Sequence, residues 1–162
     1  MEEKEAQVYR YLDDMGISYT RHEHPPVYTV EEAEKYWKDI TGAQAKNLFL
    51  RDNKGKRHFL VVLEHSRVAS LDELSRKLNA GKLSFASERR LEKYLGLGTG
   101  AVSPFGLIND KDNKVEVVLD ENLKKHHQWV NFHPNVNTAT TTLSVEDFLR
   151  FIESTGSKIY YV

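Results

Sequence analysis

The sequence predicts an α+β fold, one domain over residues 1–162, with a mixed and mostly antiparallel sheet flanked by helices. Three observations carry that expectation. Segments of helical and of strand periodicity are interspersed along the chain, with no internal repeat, linker or low-complexity tract between them. Several strand candidates alternate polar with apolar residues, the pattern of a sheet with one wet face. Two of them are joined by Asp52-Asn53-Lys54-Gly55, which is hairpin chemistry rather than the long crossover that a parallel pair needs.

In chain order, residues 5–15 read as a helix with Val8, Tyr11, Leu12 and Met15 on one face and Gly16 as its stop. A strand over 17–22 follows, closed by Pro25-Pro26. Thr29-Val30-Glu31-Glu32 has the form of a capping box and opens a helix whose buried stripe is Ala33, Tyr36, Trp37 and Ile40. Strands over 46–51 and 58–63 make the hairpin. Ser70-Leu71-Asp72-Glu73 starts a helix ending near Gly81, and Ser87 caps another that runs to Leu95, with Gly96 at its stop. Strands over 115–119 and 138–143, a helix from Ser144 to Gly156 and a terminal strand over 158–162 complete the set.

Composition narrows the chemistry. With no cysteine, disulfide scaffolds, thiolate metal sites and cysteine nucleophiles are excluded. No apolar run approaches a membrane span, and the Met1-Glu2-Glu3-Lys4-Glu5 start lacks a secretory layout, so a cytoplasmic protein with no membrane partner is expected. The formal net charge is −1 and the pI about 6.7. That is no DNA-binding balance, and an RNA partner would have to be gripped locally. Local basic groups stand at Lys54, Lys56 and Arg57, at Arg76, Lys77 and Lys82, at Arg89, Arg90 and Lys93, and at Lys124 and Lys125. For most of them a solvated face is the plain reading.

Three places can carry chemistry. Lys46 shares strand parity with Leu48 and Leu50, so it either snorkels to the rim or lines a pocket. The run Leu95 to Gly106 holds four glycines and a proline, an irregular backbone able to turn N–H groups toward a phosphate or an oxyanion. A helix precedes this loop and Ser103-Pro104 ends it, so it is no dinucleotide fingerprint. The third is Phe132-His133-Pro134-Asn135-Val136-Asn137-Thr138, where His133 can orient a ligand, move a proton or hold the structure. His126, His127 and His133 with Asp120 could be drawn as a metal site but have no recognised spacing, and His22-Glu23-His24 reads as surface.

Those places are also where the chain resembles the prolyl-tRNA editing domains of the YbaK/ProX type. The similarity runs through His24-Pro25-Pro26-Val27-Tyr28-Thr29, Ala45 to Asp52, Leu83 to Ser87, Gly100 to Asp110, Asn131-Phe132-His133-Pro134 and Asn137-Thr138-Ala139-Thr140. Within that family the Lys46-Asn47-Leu48-Phe49-Leu50 and His133-Pro134 segments look like those of the freestanding alanyl-tRNA(Pro) deacylases, while Asn135 stands where an apolar residue is expected.

The resemblance implies a mixed sheet curled toward a barrel. It also implies hydrolysis of the ester to the 3′-terminal adenosine of mischarged tRNA(Pro), with no cofactor, metal or protein nucleophile. Lys46 would meet the terminal phosphate or ribose, and the backbone N–H groups of Gly100, Ala101, Val102 and Ser103 would hold the oxyanion. Asn47, Pro104, His133 and Asn137 would bind substrate. The partner implied is the tRNA(Pro) acceptor end, with prolyl-tRNA synthetase as a further one. A cysteinyl-tRNA(Pro) deacylase, a non-catalytic aminoacyl-binding module and a metal-dependent hydrolase are the competing readings.

Overall fold

The computed structural model describes residues 1–162, the side chain of Val30 excepted. Its longest strand, β2 (Ala43–Asp52), belongs to two half-sheets at once. On one edge its first residues, Ala43 and Gln44, pair in parallel with β6 (Trp129–Phe132). That strand continues antiparallel into β7 (Ala139–Ser144), and β7 into β1 (Thr20–Glu23). On the opposite edge β2 pairs antiparallel with β3 (His58–Glu64), followed in parallel by β5 (Val115–Leu119) and β8 (Ile159–Tyr161). The short β4 (Leu83–Phe85) joins the far end of β2 at Leu50–Asp52. The sheet is thus mixed and more antiparallel than parallel, as expected, but it stays open in the order β1-β7-β6-β2-β3-β5-β8 and does not close into a barrel.

Between Gln44, where β6 leaves, and Leu50, where β4 arrives, that edge of β2 has no strand beside it. The gap is the seam of the molecule.

Apolar side chains fill both faces of the β3 half. Leu60 and Val62 point into a core shared with Leu12 of α1 (Glu3–Asp14), Leu91 and Leu95 of α4 (Glu88–Leu95), and Phe148 and Phe151 of α6 (Val145–Ser154). Phe59, Val61 and Leu63 point the other way, against Leu74 and Leu78 of α3 (Leu71–Leu78). A strand buried on both faces reads as a continuous apolar run, which is why residues 59–63 do not alternate. Each such side chain contributes about 1.5–3 kcal/mol of burial.

The helices begin where the sequence places them. Thr29, Ser70, Ser87 and Ser144 each accept the N–H of the residue three positions on, at 3.0–3.2 Å. Such a cap contributes about 1 kcal/mol. Thr29 opens α2 (Val30–Trp37). Of its expected stripe Ala33 is buried, while Tyr36, Trp37 and Ile40 are half-buried.

The differences are local. The first strand is shifted to 20–23, because the Ile17 N–H closes on the Leu12 carbonyl at the end of α1 (3.0 Å). The third helix stops at Leu78, where Asn79 takes the left-handed cap at φ 50°. No pattern in the residues marks β4, β6 or α5 (Glu121–His126) in advance. All three are short, and β6 carries Asn131 in its middle, a residue that disfavours strands on propensity. Its side chain is satisfied instead by the Thr41 carbonyl (3.1 Å) and the Thr142 hydroxyl. Among the described residues no helix is long and apolar enough to cross a membrane.

Candidate active site

Strand register brings Lys46 and His133 to the same seam. The last pair between the parallel strands β2 and β6 is Gln44 with Asn131, and two residues further along each stand Lys46 and His133. Alternation gives Lys46 the face of Gln44, and His133, one residue past β6, lies against His24, which bonds Thr140. The two residues therefore flank the seam where the strands part. Lys46 is half-buried and enters no ion pair among the described residues. Asn47 has the opposite parity, on the Val62 face, and its Oδ1 is buried without a hydrogen-bond partner.

The His133 ring is fixed. Its Nδ1 lies 3.0 Å from the Ala139 carbonyl, so the proton sits on Nδ1 and Nε2 is left as an acceptor. Burial pushes its pKa below the usual histidine value, and the neighbouring His24 adds to this against the pull of the carbonyl. His24 itself corrects the expectation of a surface residue. It is 8% exposed, stacks on Tyr36 and lies 6.1 Å from the His133 ring. Its Nδ1 donates to the Pro25 carbonyl and its Nε2 accepts from Thr140, both at 2.9 Å. The signal for it in the sequence is its place at the head of the His24-Pro25-Pro26-Val27-Tyr28-Thr29 segment.

Three loops converge beside this pair. Residues 133–138 leave β6 and bind the other two. Asn135 donates to the Phe105 carbonyl (3.3 Å) and Asn137 to the Val27 carbonyl (3.5 Å). Asn135 has φ 63°, a left-handed conformation that asparagine tolerates and branched apolar residues do not, which accounts for its place in the motif. Its Oδ1 is buried without a partner.

The glycine loop is two 3-10 turns, Thr99–Ala101 and Pro104–Asn109. The Ala101 N–H is already taken by the Gly98 carbonyl (3.1 Å). Ser103 is fully buried, and its hydroxyl accepts the Phe105 N–H (3.2 Å), so this side chain caps the second turn. Pro104 occupies the first position of that turn, where it has no N–H to leave unpaired. Gly100 is exposed, and a Cβ there would stand 3.3 Å from Asn137 Nδ2 and 4.0 Å from Tyr28. Gly106 is needed for packing, since a Cβ would come within 2.6 Å of Leu97. Gly100, Ala101, Asn135, Asn137 and the exposed Tyr28 line one open cleft.

The histidines drawn as a metal site lie apart. Asp120 caps α5 and pairs with Arg67 (2.8 Å), and His127 faces Glu64 (3.5 Å). Among the described residues no group of three His, Cys, Asp or Glu side chains could hold a metal ion.

A family model described as an aminoacyl-tRNA editing domain matches residues 24–151. A prolyl-tRNA editing protein, ProX, of Acetoanaerobium sticklandii is 48% identical over 97% of this chain and 94% of its own length. The prolyl-tRNA synthetase associated domain-containing protein 1 of Mus musculus is 40% identical over 95% and 92%. A crystal structure described as a candidate trans-editing enzyme for prolyl tRNA synthetase superposes with a TM-score of 0.75 at 21% identity, covering 99% and 97% of the two chains. Most of the chain, including all three converging loops, lies within the family match, and the chain belongs to the aminoacyl-tRNA editing domain family.

Proposed function

We propose that this chain, acting as one domain over residues 1–162, removes alanine from mischarged tRNA(Pro) in trans. Hydrolysis of an aminoacyl ester is the family activity, and the relatives named for prolyl-tRNA point to the tRNA. The observation that carries the finer reading is the seam. There a lysine and a neutral, immobilised histidine flank the parting strands, tied by residues 133–138 to a loop with an exposed glycine.

In this reading Lys46 holds the terminal phosphate or ribose of the acceptor end, where a mobile ammonium suits a charged, hydrated group. The carbonyl of the ester lies against the glycine loop. Its oxygen receives the Gly100 N–H and the backbone of Val102 and Ser103 as negative charge develops. Water adds to the carbonyl carbon, passing its proton through the neighbouring ribose hydroxyl. The tetrahedral adduct then expels the 3′ oxygen, which leaves protonated, giving alanine and free tRNA. No protein nucleophile is required, because an activated ester needs mainly positioning and charge stabilisation. Asn47, Asn137 and Pro104 keep the substrate and the loop in register.

Selectivity follows from stiffness. A synthetase pocket made for proline discriminates against the smaller alanine by only ~1–3 kcal/mol. A second pocket walled by His133, itself held by Ala139 and backed by His24 on Tyr36, has little freedom to widen for a proline ring. The test is a deacylation panel of alanyl-, cysteinyl-, seryl- and prolyl-tRNA(Pro). Alanine should be released fastest and proline slowest, with Lys46→Ala losing most turnover. Faster release of cysteine would assign the chain to cysteinyl-tRNA(Pro), and binding without release would make it an aminoacyl-binding module. Association with prolyl-tRNA synthetase and a cytoplasmic site of action belong to the same proposal.

A further inference from the structure

Basic residues that are far apart in sequence meet on one face. Arg90 of α4 donates to the Gly55 carbonyl (3.2 Å), and its Nη1 lies 3.0 Å from Nε2 of His58. The Tyr94 ring packs 4.0 Å from the same imidazole. These contacts fasten α4 to the 53–57 hairpin loop, and Lys93 lines the same recess as Lys56. Two recesses share Lys93 and Tyr94. One is lined by Arg89 and Arg90, the other by Lys56, Lys111 and Lys114.

The acids nearby, Glu88 and Glu92 of α4 included, form no ion pair with these cations among the described residues. Asp110 is turned inward to accept the Lys114 and Val115 N–H groups (3.0 and 2.8 Å), leaving Asp112 as the other carboxylate lining the second recess. Some cations elsewhere are matched, as Arg21 is by Glu5, Arg57 by Glu116 and Arg67 by Asp120. None of the six cations on this face enters an ion pair among the described residues. In a chain of net charge −1, six such cations around two adjoining recesses make a local patch of positive potential.

The face also starts at the candidate active site. The Thr99 hydroxyl donates to Glu88 Oε1 (3.3 Å), so the glycine loop rests on the first turn of α4. From there the basic strip runs along the helix, ~12 Å for eight residues, and onto the hairpin loop.

We propose that this face docks the phosphates of the acceptor-stem duplex while the 3′ end reaches the cleft. The inference rests on the reading of the chain as an editor of tRNA. Double-helical RNA is gripped through phosphates and 2′-hydroxyls rather than base edges, and exposed, unpaired lysines and arginines suit that contact. An acidic protein segment is the competing occupant of the same face.

The test uses the double variant Lys56→Glu/Lys93→Glu, both side chains being exposed. It compares alanyl-tRNA(Pro) with a minimal ester, alanyl-adenosine, that has no stem. Expected is a fall of at least about tenfold in kcat/KM on the tRNA, carried by KM, with a shallower salt dependence and the minimal ester unchanged within about twofold. Binding of a labelled acceptor-stem microhelix should weaken in parallel. Wild-type values for microhelix binding and for tRNA turnover in the double variant would overturn the docking face, and so would equal losses on both substrates in a variant with native melting. Lys56→Gln/Lys93→Gln gives the same comparison if charge reversal impairs folding. A wild-type protein that binds the microhelix but hydrolyses no aminoacyl ester would refute the deacylase reading and leave the docking face standing.

Discussion

The two half-sheets that share β2 bury very different surfaces. In the half built on β3, residues Phe59 to Leu63 are buried on both faces and ask for no side-chain hydrogen bonds. In the half built on β7, the buried side chains include Thr140, Thr141 and Thr142, and each hydroxyl is engaged, with His24, Tyr9 and Asn131 respectively. Apolar packing is tolerant of small shifts, whereas a satisfied polar network fixes ring orientations and tautomers. The proposed site sits at the join. Among the described residues four buried side-chain atoms lack a partner, and three of them, on Gln44, Asn47 and Asn135, lie on β2 at the seam or on the loop next to it. One half carries the apolar core, the other a satisfied polar network, and the unpaired polar atoms gather where the two meet.

Breaking the apolar half should therefore cost stability and spare chemistry. Phe59→Ala removes a fully buried ring and should destabilise by about 3–5 kcal/mol in denaturant titration. Turnover per folded molecule should stay at the wild-type level. A loss of turnover in the protein that remains folded would show that the two halves are not separable. The reverse pattern is expected at Gly100. Its backbone is not left-handed, and a Cβ would meet only the movable end of Asn137 at 3.3 Å, so the fold should tolerate Gly100→Val. The larger side chain displaces Asn137 and misaims the loop N–H groups. Losing one aimed donor typically costs ~2.7–4 kcal/mol of transition-state stabilisation, or 10²–10³ in rate. Single-turnover deacylation beside a melting curve checks it, and native turnover per folded molecule would remove the oxyanion role from this loop. Ser103→Ala should do much less, its hydroxyl being engaged in a turn.

His58 sharpens the comparison through pH. It is 1% exposed and its pKa is lowered to about 4, first by burial and then by the Arg90 guanidinium. A histidine held below its unfolded value of about 6.5 binds its proton more readily when unfolded, so stability is intact above pH 6.5 and is lost as pH falls toward 4. The loss is on the order of 3 kcal/mol over that window. Urea midpoints between pH 7 and 5, above the carboxylate range, should decline for wild type and stay flatter for His58→Gln. An equal decline in both would place the sensitivity elsewhere, with His133, whose pKa is lowered in the same direction, as the next residue to replace.

Much of this was legible in the residues. Caps at Thr29, Ser70, Ser87 and Ser144 are local chemistry and stand where the sequence puts them, as does the β2–β3 hairpin. The glycine loop and the Phe132 to Thr138 segment stand out in the sequence by their density of glycine and of polar side chains, and the structure brings the two together through Asn135 and the Phe105 carbonyl. What escaped depends on contacts far apart in sequence. β6 has four residues and a central asparagine, and becomes a strand only because β2 and β7 flank it and Thr41 and Thr142 satisfy the amide. His24 reads as surface until Tyr36 and Thr140 cover it. The placing of Lys46 and His133 two residues past the Gln44–Asn131 pair follows from a parallel register that no local pattern encodes.

The smallest stability effect should fall on Asn47, and it discriminates most finely between the two halves. Its side chain faces Val62 of the apolar half but stands at the seam, and its Oδ1 is buried with no partner. An acceptor in that state has given up water without gaining a bond, so replacing it by an apolar group of the same branching should change stability by no more than about 1 kcal/mol and in the stabilising direction. Asn47→Leu should therefore melt at or above the wild-type temperature. If the amide positions substrate, the same variant should lose turnover on alanyl-tRNA(Pro), and Asn47→Asp, which keeps the acceptor and its shape, should recover part of it near neutral pH. Unfavourable stability together with unchanged turnover would mean that Asn47 serves the fold after all, and that the polar character of the seam ends at Lys46.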